Sequence, residues 1–221
     1  MSEERDASEG LARKARSEAR LGETSVLLNE ALPWIGRNGI RSPEEIAVRA
    51  SALILVAVRA EICLSGQHQD TLAQDVLTKR NLWDSVTPRE RAFLEKDEPT
   101  EHEALQFVWR YEGVLVLLWA LGLAEELPYP TDICNVPWLA AFFRDHTVEM
   151  ILAEARPRSE DELLDACDYI FRLHWAVRNA QFGGTAHPEG VDGGVVYERH
   201  YALNWLTRFF DAEWDDTDTP T

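Results

Sequence analysis

Four spacings of a hydroxyl and a glutamate constrain this chain more than any other feature. Ser42-Pro-Glu-Glu45, Thr87-Pro-Arg-Glu90, Thr100-Glu-His-Glu103 and Ser159-Glu-Asp-Glu162 each place a hydroxyl three residues ahead of a carboxylate. In a capping box the hydroxyl accepts from the N3 amide and the glutamate reaches back to the cap amide, so two orphan donors are met at once. Two of the four carry proline at the first helical position, where its missing N–H costs nothing. Behind each start, apolar residues recur at helical spacing. Apart from a possible short strand at 194–197, no alternating run suggests a sheet. The expectation is an all-α chain of about seven or eight helices, with one globular domain over 22–210. The boxes are a stability device and carry no function.

The segment from 101 to 121 reads as the central buried helix, spanning about 100–122. Beyond Leu105 it is apolar all round except for Gln106, Arg110 and Glu112. Arg110 and Glu112 lie about 200° apart on a helical wheel, so each needs a partner from another element. Further helices are expected over 43–64, 70–83, 88–96, 136–155 and 196–210, with a short one over 25–35. His146 and Glu149, at i,i+3, read as a surface pair. Residues 1–21 hold five acids and five bases and few large apolar groups. They read as a mobile or loosely attached arm or a frayed surface helix. Residues 211–221 hold five acids and no base, which reads as a solvated acidic tail pinned by Trp214.

The helix predicted over 159–182 has an odd polarity. At about 100° per residue, Asp161, Asp165, Asp168, Arg172 and Asn179 share one stripe, expected to be solvated and salt-bridged. The stripe can also meet a basic partner or the chain's own arginines. Leu163, Cys167, Ile170, Phe171 and Val177 face the other way. His174 and Arg178 sit i,i+4 on the apolar face, and an arginine facing a core needs a carboxylate or several carbonyls. Arg178 is therefore expected to be half of a buried pair.

Arg110, Glu112, His174, Arg178, Glu198, Arg199, His200 and Asn204 are the candidate interior polar groups. One reading is a structural network that fixes helix register. The other is a site in which His174 and His200, with Glu112 or Glu198, converge under the glycine-rich loop 183–194 as acid and base or as metal ligands. No HExxH, di-iron ExxH, P-loop, GxGxxG or GxSxG motif supports a particular chemistry, and none calls for a cofactor. The tail acids lack the glycine and the closing glutamate of a calcium loop.

A formal charge of −17 repels nucleic acid and anionic membrane, so neither is expected as a partner. Cys63, Cys134 and Cys167 are far apart in sequence and sit among apolar residues, which predicts buried reduced thiols. The first ten residues show no apolar signal core, and the longest apolar run, 114–121, is far short of a bilayer span. A cytoplasmic location is expected.

Five segments can be read together: RSPEEIAVRA (41–50), WRYEGVLVLLWALGL (109–123), RSEDELLDACDYIFRLHWAVRNA (158–180), VVYERHYALNWL (195–206) and WDDTDT (214–219). In that order they resemble the bacterial family known as domain of unknown function 4272. The resemblance covers roughly residues 40–219. It implies a compact bacterial domain and brings no activity, cofactor or catalytic residue with it. The residues themselves point first to a non-enzymatic protein-interaction module that binds a basic protein through an acidic helical surface. The alternative is an enzyme of unassigned chemistry using the His/Glu site under the 183–194 loop.

Overall fold

A computed structural model describes residues 2–24, 26–183 and 185–221. All four capping boxes form in it. Ser42 Oγ accepts Glu45 N at 3.2 Å while Glu45 Oε2 accepts Ser42 N at 2.7 Å, and the boxes at Thr87, Thr100 and Ser159 close in the same way. Among the described residues there are ten α-helices and no strand. They are α1 (Ser2–Gly22), α2 (Pro43–Leu64), α3 (Leu72–Lys79), α4 (Pro88–Leu94), α5 (Glu101–Val108), α6 (Arg110–Ala120), α7 (Val136–Asp145), α8 (Val148–Glu154), α9 (Glu160–Gln181) and α10 (Gly193–Leu206). Three short 3-10 turns cover Trp83–Ser85, Phe209–Asp211 and Trp214–Asp216.

The count exceeds seven or eight for three physical reasons. The helix expected over 101–121 breaks at Trp109, where the amide turns back to Phe107 O and Glu112 N bonds Trp109 O at 3.1 Å. The helix expected over 136–155 breaks at His146, whose backbone is extended, and Thr147 caps the next start. The segment expected over 1–21 as a loose arm or frayed helix forms α1 over its described residues, and α1 buries Arg13, Ser17 and Leu21. Two smaller expectations fail. The described residues of 25–35 form no helix (Ser25 lies outside the described residues), and 194–197 is the first turn of α10 rather than a strand.

Contacts divide the chain into two compact units. One comprises residues 42–127 and 133–157. Its hub is α2, which packs on α3, α5, α6, α7 and α8, as its wide face of Ala, Leu, Ile and Val requires. The helix expected at the centre, 100–122, is half a core element. Tyr111 to Leu121 are all buried, whereas α5 buries only Ala104. Gly122 closes α6 with a φ of +72°, and a Cβ there would stand 2.2 Å from Arg156 O. Arg156 N meanwhile bonds Leu121 O at 2.8 Å, so only glycine fits.

The other unit comprises residues 1–41, 128–132 and 158–221. Its spine is α9 against α10. Cys167 meets Asn204 and His174 meets His200, so the two helices run antiparallel. α1 lies along the opposite face of α9. Arg13 reaches Asp161 and Asp165, and Glu18 reaches Arg172, so these two helices run parallel. The tail is not simply solvated. Trp214, Thr217 and Thr219 are buried, and Tyr201 donates its hydroxyl to Trp214 O. Asn204 Nδ2 donates to Asp218 O at 2.8 Å.

Candidate functional site

The antiparallel crossing of α9 and α10 brings together the two histidines that the sequence singles out. His174 Nδ1 and His200 Nδ1 are 2.8 Å apart, and the rings stand nearly perpendicular. One nitrogen must donate and the other accept, so the neutral pair holds opposite tautomers. Phe171 and Tyr197 pack against the rings. His174 and His200 are 2% and 1% exposed. Burial pushes His174 down to about 4, and the Arg178 charge adds to the shift. Burial lowers His200 further, and His174 adds to that. A general base works best with a pKa near the working pH and a path to its substrate. This pair is neutral, dry and hydrogen-bonded to itself, which fits a register-fixing role.

The remaining candidates divide between the two units. Arg110 and Glu112 lie in the α2-centred unit. There Glu112 Oε1, almost fully buried, accepts Cys134 N at 2.5 Å. Glu198, Arg199 and Asn204 lie on α10, all buried. Arg199 Nη1 donates to Pro128 O at 2.5 Å, and Asn204 Oδ1 accepts from the Cys167 thiol at 3.4 Å. All three cysteines are free and buried, and burial pushes the Cys167 thiol up to about 12. Among the described residues no group of three or more His, Cys, Asp or Glu is placed to hold a metal ion.

Arg178 is corrected by the structure. It is half-buried rather than locked in a buried pair, and its guanidinium lies 5.3 Å over the ring of Phe182. Position explains the difference, because Arg178 sits in the last turn of α9, where the core thins. Arg178→Ala is expected to cost about 0.5–1 kcal/mol, the range of an exposed cation–π contact, in urea unfolding. A loss above about 3 kcal/mol would restore the buried-pair reading. The acidic stripe is salt-bridged, to the chain's own arginines, but it is solvated only in part. Asp168 and Arg172 are 0% and 3% exposed, and Arg13 and Arg16 from α1 meet Asp161 and Asp165. His146 pairs with Glu154 at 3.5 Å and stacks on Phe142, rather than meeting Glu149.

The loop under which a site was expected, 183–194, includes Gly184, which lies outside the described residues. Its far end is tied down. Asp192 N bonds Pro130 O at 2.7 Å, and Asp192 Oδ1 caps α10 through Gly194 N and Val195 N.

Sequence reasoning passed over a cavity of about 370 Å³ in the α2-centred unit. It is lined by Leu105, Val108, Trp109, Ile133 and Val136, with Glu61, Tyr111, Glu112 and Cys134. Tyr111 donates its hydroxyl to Glu61 Oε2 at 2.6 Å. Burial, and then the Glu61 carboxylate, hold that phenol well above its ordinary range. Leu105 and Ile133 remain 44% and 61% exposed. The available signal was Glu61, the one carboxylate in the second half of α2.

The family model described as Domain of unknown function (DUF4272) matches residues 13–217 of the 221-residue chain. No curated protein and no solved structure matches it. Among the described residues, no helix is long and apolar enough to cross a membrane.

Proposed function

The chain belongs to the DUF4272 family, and we propose that it is a non-enzymatic interaction module that engages a basic protein partner. The observation that carries this reading is the 370 Å³ cavity beside Glu61. Its charged lining residues are carboxylates, Glu61 and Glu112, and the rest of the wall is mostly apolar. Such a pocket suits a side chain with an apolar stem and a cationic tip, a lysine or an arginine. Exposed Leu105 and Ile133 supply an apolar rim. One turn before Leu105, Glu101 is exposed, and Glu95, Asp97 and Glu98 precede it in the α4–α5 turn. Glu101, at i−4 from Leu105 on the same helix face, brings a carboxylate to the apolar rim. A charge of −17 speeds the encounter with a basic partner.

The acidic face of α9 does not serve this role, since Asp161 and Asp165 are engaged by the chain's own arginines. The His174–His200 pair offers no solvent-facing base, so the enzyme reading gains no support from it.

The test is a panel of synthetic peptides, each carrying lysine or arginine between leucines, read by fluorescence anisotropy at low and high salt. Binding should weaken with salt; Glu61→Gln should weaken it about tenfold, the effect of one charge-assisted contact, and Leu105→Ser comparably through lost apolar burial. In Glu61→Gln the new amide oxygen would still accept from Tyr111, so the fold is retained. A panel without binders, or binding indifferent to both substitutions, refutes the reading.

A further inference from the structure

A second concavity in the α2-centred unit is larger, about 970 Å³, near the upper end of the size that holds small ligands. Its floor is one face of α2: Ser51, Ile54, Leu55 and Val58, spaced i, i+3, i+4 and i+7. Its walls come from α3 and α7. From Ser51 to Glu61 the floor runs about 15 Å at the helical rise of about 1.5 Å per residue.

The groove has two chemically different ends. Arg59 Nη1 bonds Asp70 O at 2.9 Å, and Arg49 Nη1 bonds Ser85 O at 3.1 Å. α3 therefore runs antiparallel to α2 and delivers Lys79 and Arg80 to the Ser51 end. Arg80 Nη1 and Nη2 donate to the carbonyls of His146 and Arg144, which brings the end of α7 there as well. Three cations line that end, and Arg144 is neutralised by Asp145 at 2.9 Å. Against Lys79 and Arg80 stands Glu149. In a chain of charge −17, this end of the groove carries a cationic excess. The opposite end holds Glu61 and Tyr111.

Ser51 supplies the independent observation. It is 2% exposed, lines the groove, and its hydroxyl has no hydrogen-bond partner among the described residues. A serine inside a helix ordinarily bonds back to the carbonyl four residues earlier, and this one does not. A buried hydroxyl left unmet is costly, and a small side-chain adjustment at the basic end of the groove would let a ligand oxygen meet it.

We propose that this groove binds an amphiphile with an extended apolar body and a carboxylate head, seated with its head at the Ser51–Lys79 end. The charge of that end selects a carboxylate over an ammonium, and the floor length matches an alkyl chain of about a dozen carbons. The groove shares Glu61 and Tyr111 with the first cavity at its far end, but its head end, Ser51 and Lys79, and its walls on α3 and α7 belong to it alone, so the two readings are tested by different residues.

The experiment is calorimetric titration of the full chain with dodecanoate, and with dodecyltrimethylammonium as the charge-reversed probe, both below their aggregation concentrations. One dodecanoate should bind per chain, and the ammonium should bind at least about tenfold more weakly, one charge-assisted contact's worth. Ser51→Ala should weaken dodecanoate about tenfold and yet raise the Tm of the empty protein by about 2–4 °C. A serine that merely holds the fold together would lower the Tm. Lys79→Glu should weaken binding comparably. Ala140→Trp, which fills the groove from an exposed position on α7, should abolish it, while Leu105→Ser leaves it unchanged. Equal binding of the two probes, no binding of dodecanoate, or binding untouched by Ala140→Trp overturns the proposal.

Discussion

Asp168→Ala is expected to lower the unfolding free energy by about 3–5 kcal/mol, the cost of leaving a buried charge without its partner. Asp168 is fully buried and grips Arg172 with both oxygens, at 2.8 Å to Nε and 3.0 Å to Nη2. The guanidinium is completed by Glu18 at 3.2 Å and the Pro33 carbonyl at 2.8 Å. Without Asp168, the remaining anion is Glu18, which is still 21% exposed and holds only one edge of the fork. Asp168→Asn keeps the shape and loses the charge, so it should fall between wild type and alanine. Replacing both members, Asp168→Leu with Arg172→Met, removes the stranded charge and should recover most of the loss. Urea unfolding at pH 7, followed by circular dichroism, reads all three. A loss below about 1 kcal/mol, the value of an ordinary hydrogen bond, would mean that Glu18 and the Pro33 carbonyl suffice to hold Arg172.

That pair also shows where sequence reasoning stops. The helical wheel correctly placed Asp161, Asp165, Asp168 and Arg172 on one side of α9. Periodicity says which residues share a face, but not what covers it. The cover is α1, whose neutral overall charge made it look detached. Its arginines nevertheless recur at Arg13, Arg16 and Arg20, spaced i, i+3 and i+7 on one face, and they match the acids and Tyr169 of α9. Comparing those two spacings would have docked the helix. The capping boxes were legible because their chemistry is local, three residues long. The helix break at Trp109 was not, since nothing in an apolar run marks where it will kink. Ser51 was invisible for a similar reason. A serine among alanines and leucines has no periodic signature, and only the fold shows that its hydroxyl is left unmet.

The histidine pair was found by sequence, but its character was not, because the charge of an imidazole depends on its burial. Acidification from pH 7 to 5 is expected to cost the protein about 2 kcal/mol through His174 alone. In the unfolded chain His174 titrates near its ordinary value of 6.5, while in the folded protein burial lowers it to about 4. Between these values the unfolded chain takes up a proton that the folded protein refuses. Stability therefore falls with pH at about 1.4 kcal/mol per unit for one such group. Above about 6.5 neither state is protonated and His174 contributes no slope. Below about 4 both are protonated and the loss levels off. His200, lowered further still, acts in the same direction. The capping carboxylate Glu103, which the Lys96 ammonium and the Thr100 donors lower to about 2, titrates below this window. Urea unfolding at intervals from pH 7 to 5 should show the decline, and His174→Leu with His200→Leu should flatten it. If wild-type stability holds level across that range, the folded pair accepts a proton as readily as the unfolded chain does. The buried, neutral arrangement would then be wrong, and the alternative reading, proton-transfer chemistry at His174 and His200, would reopen.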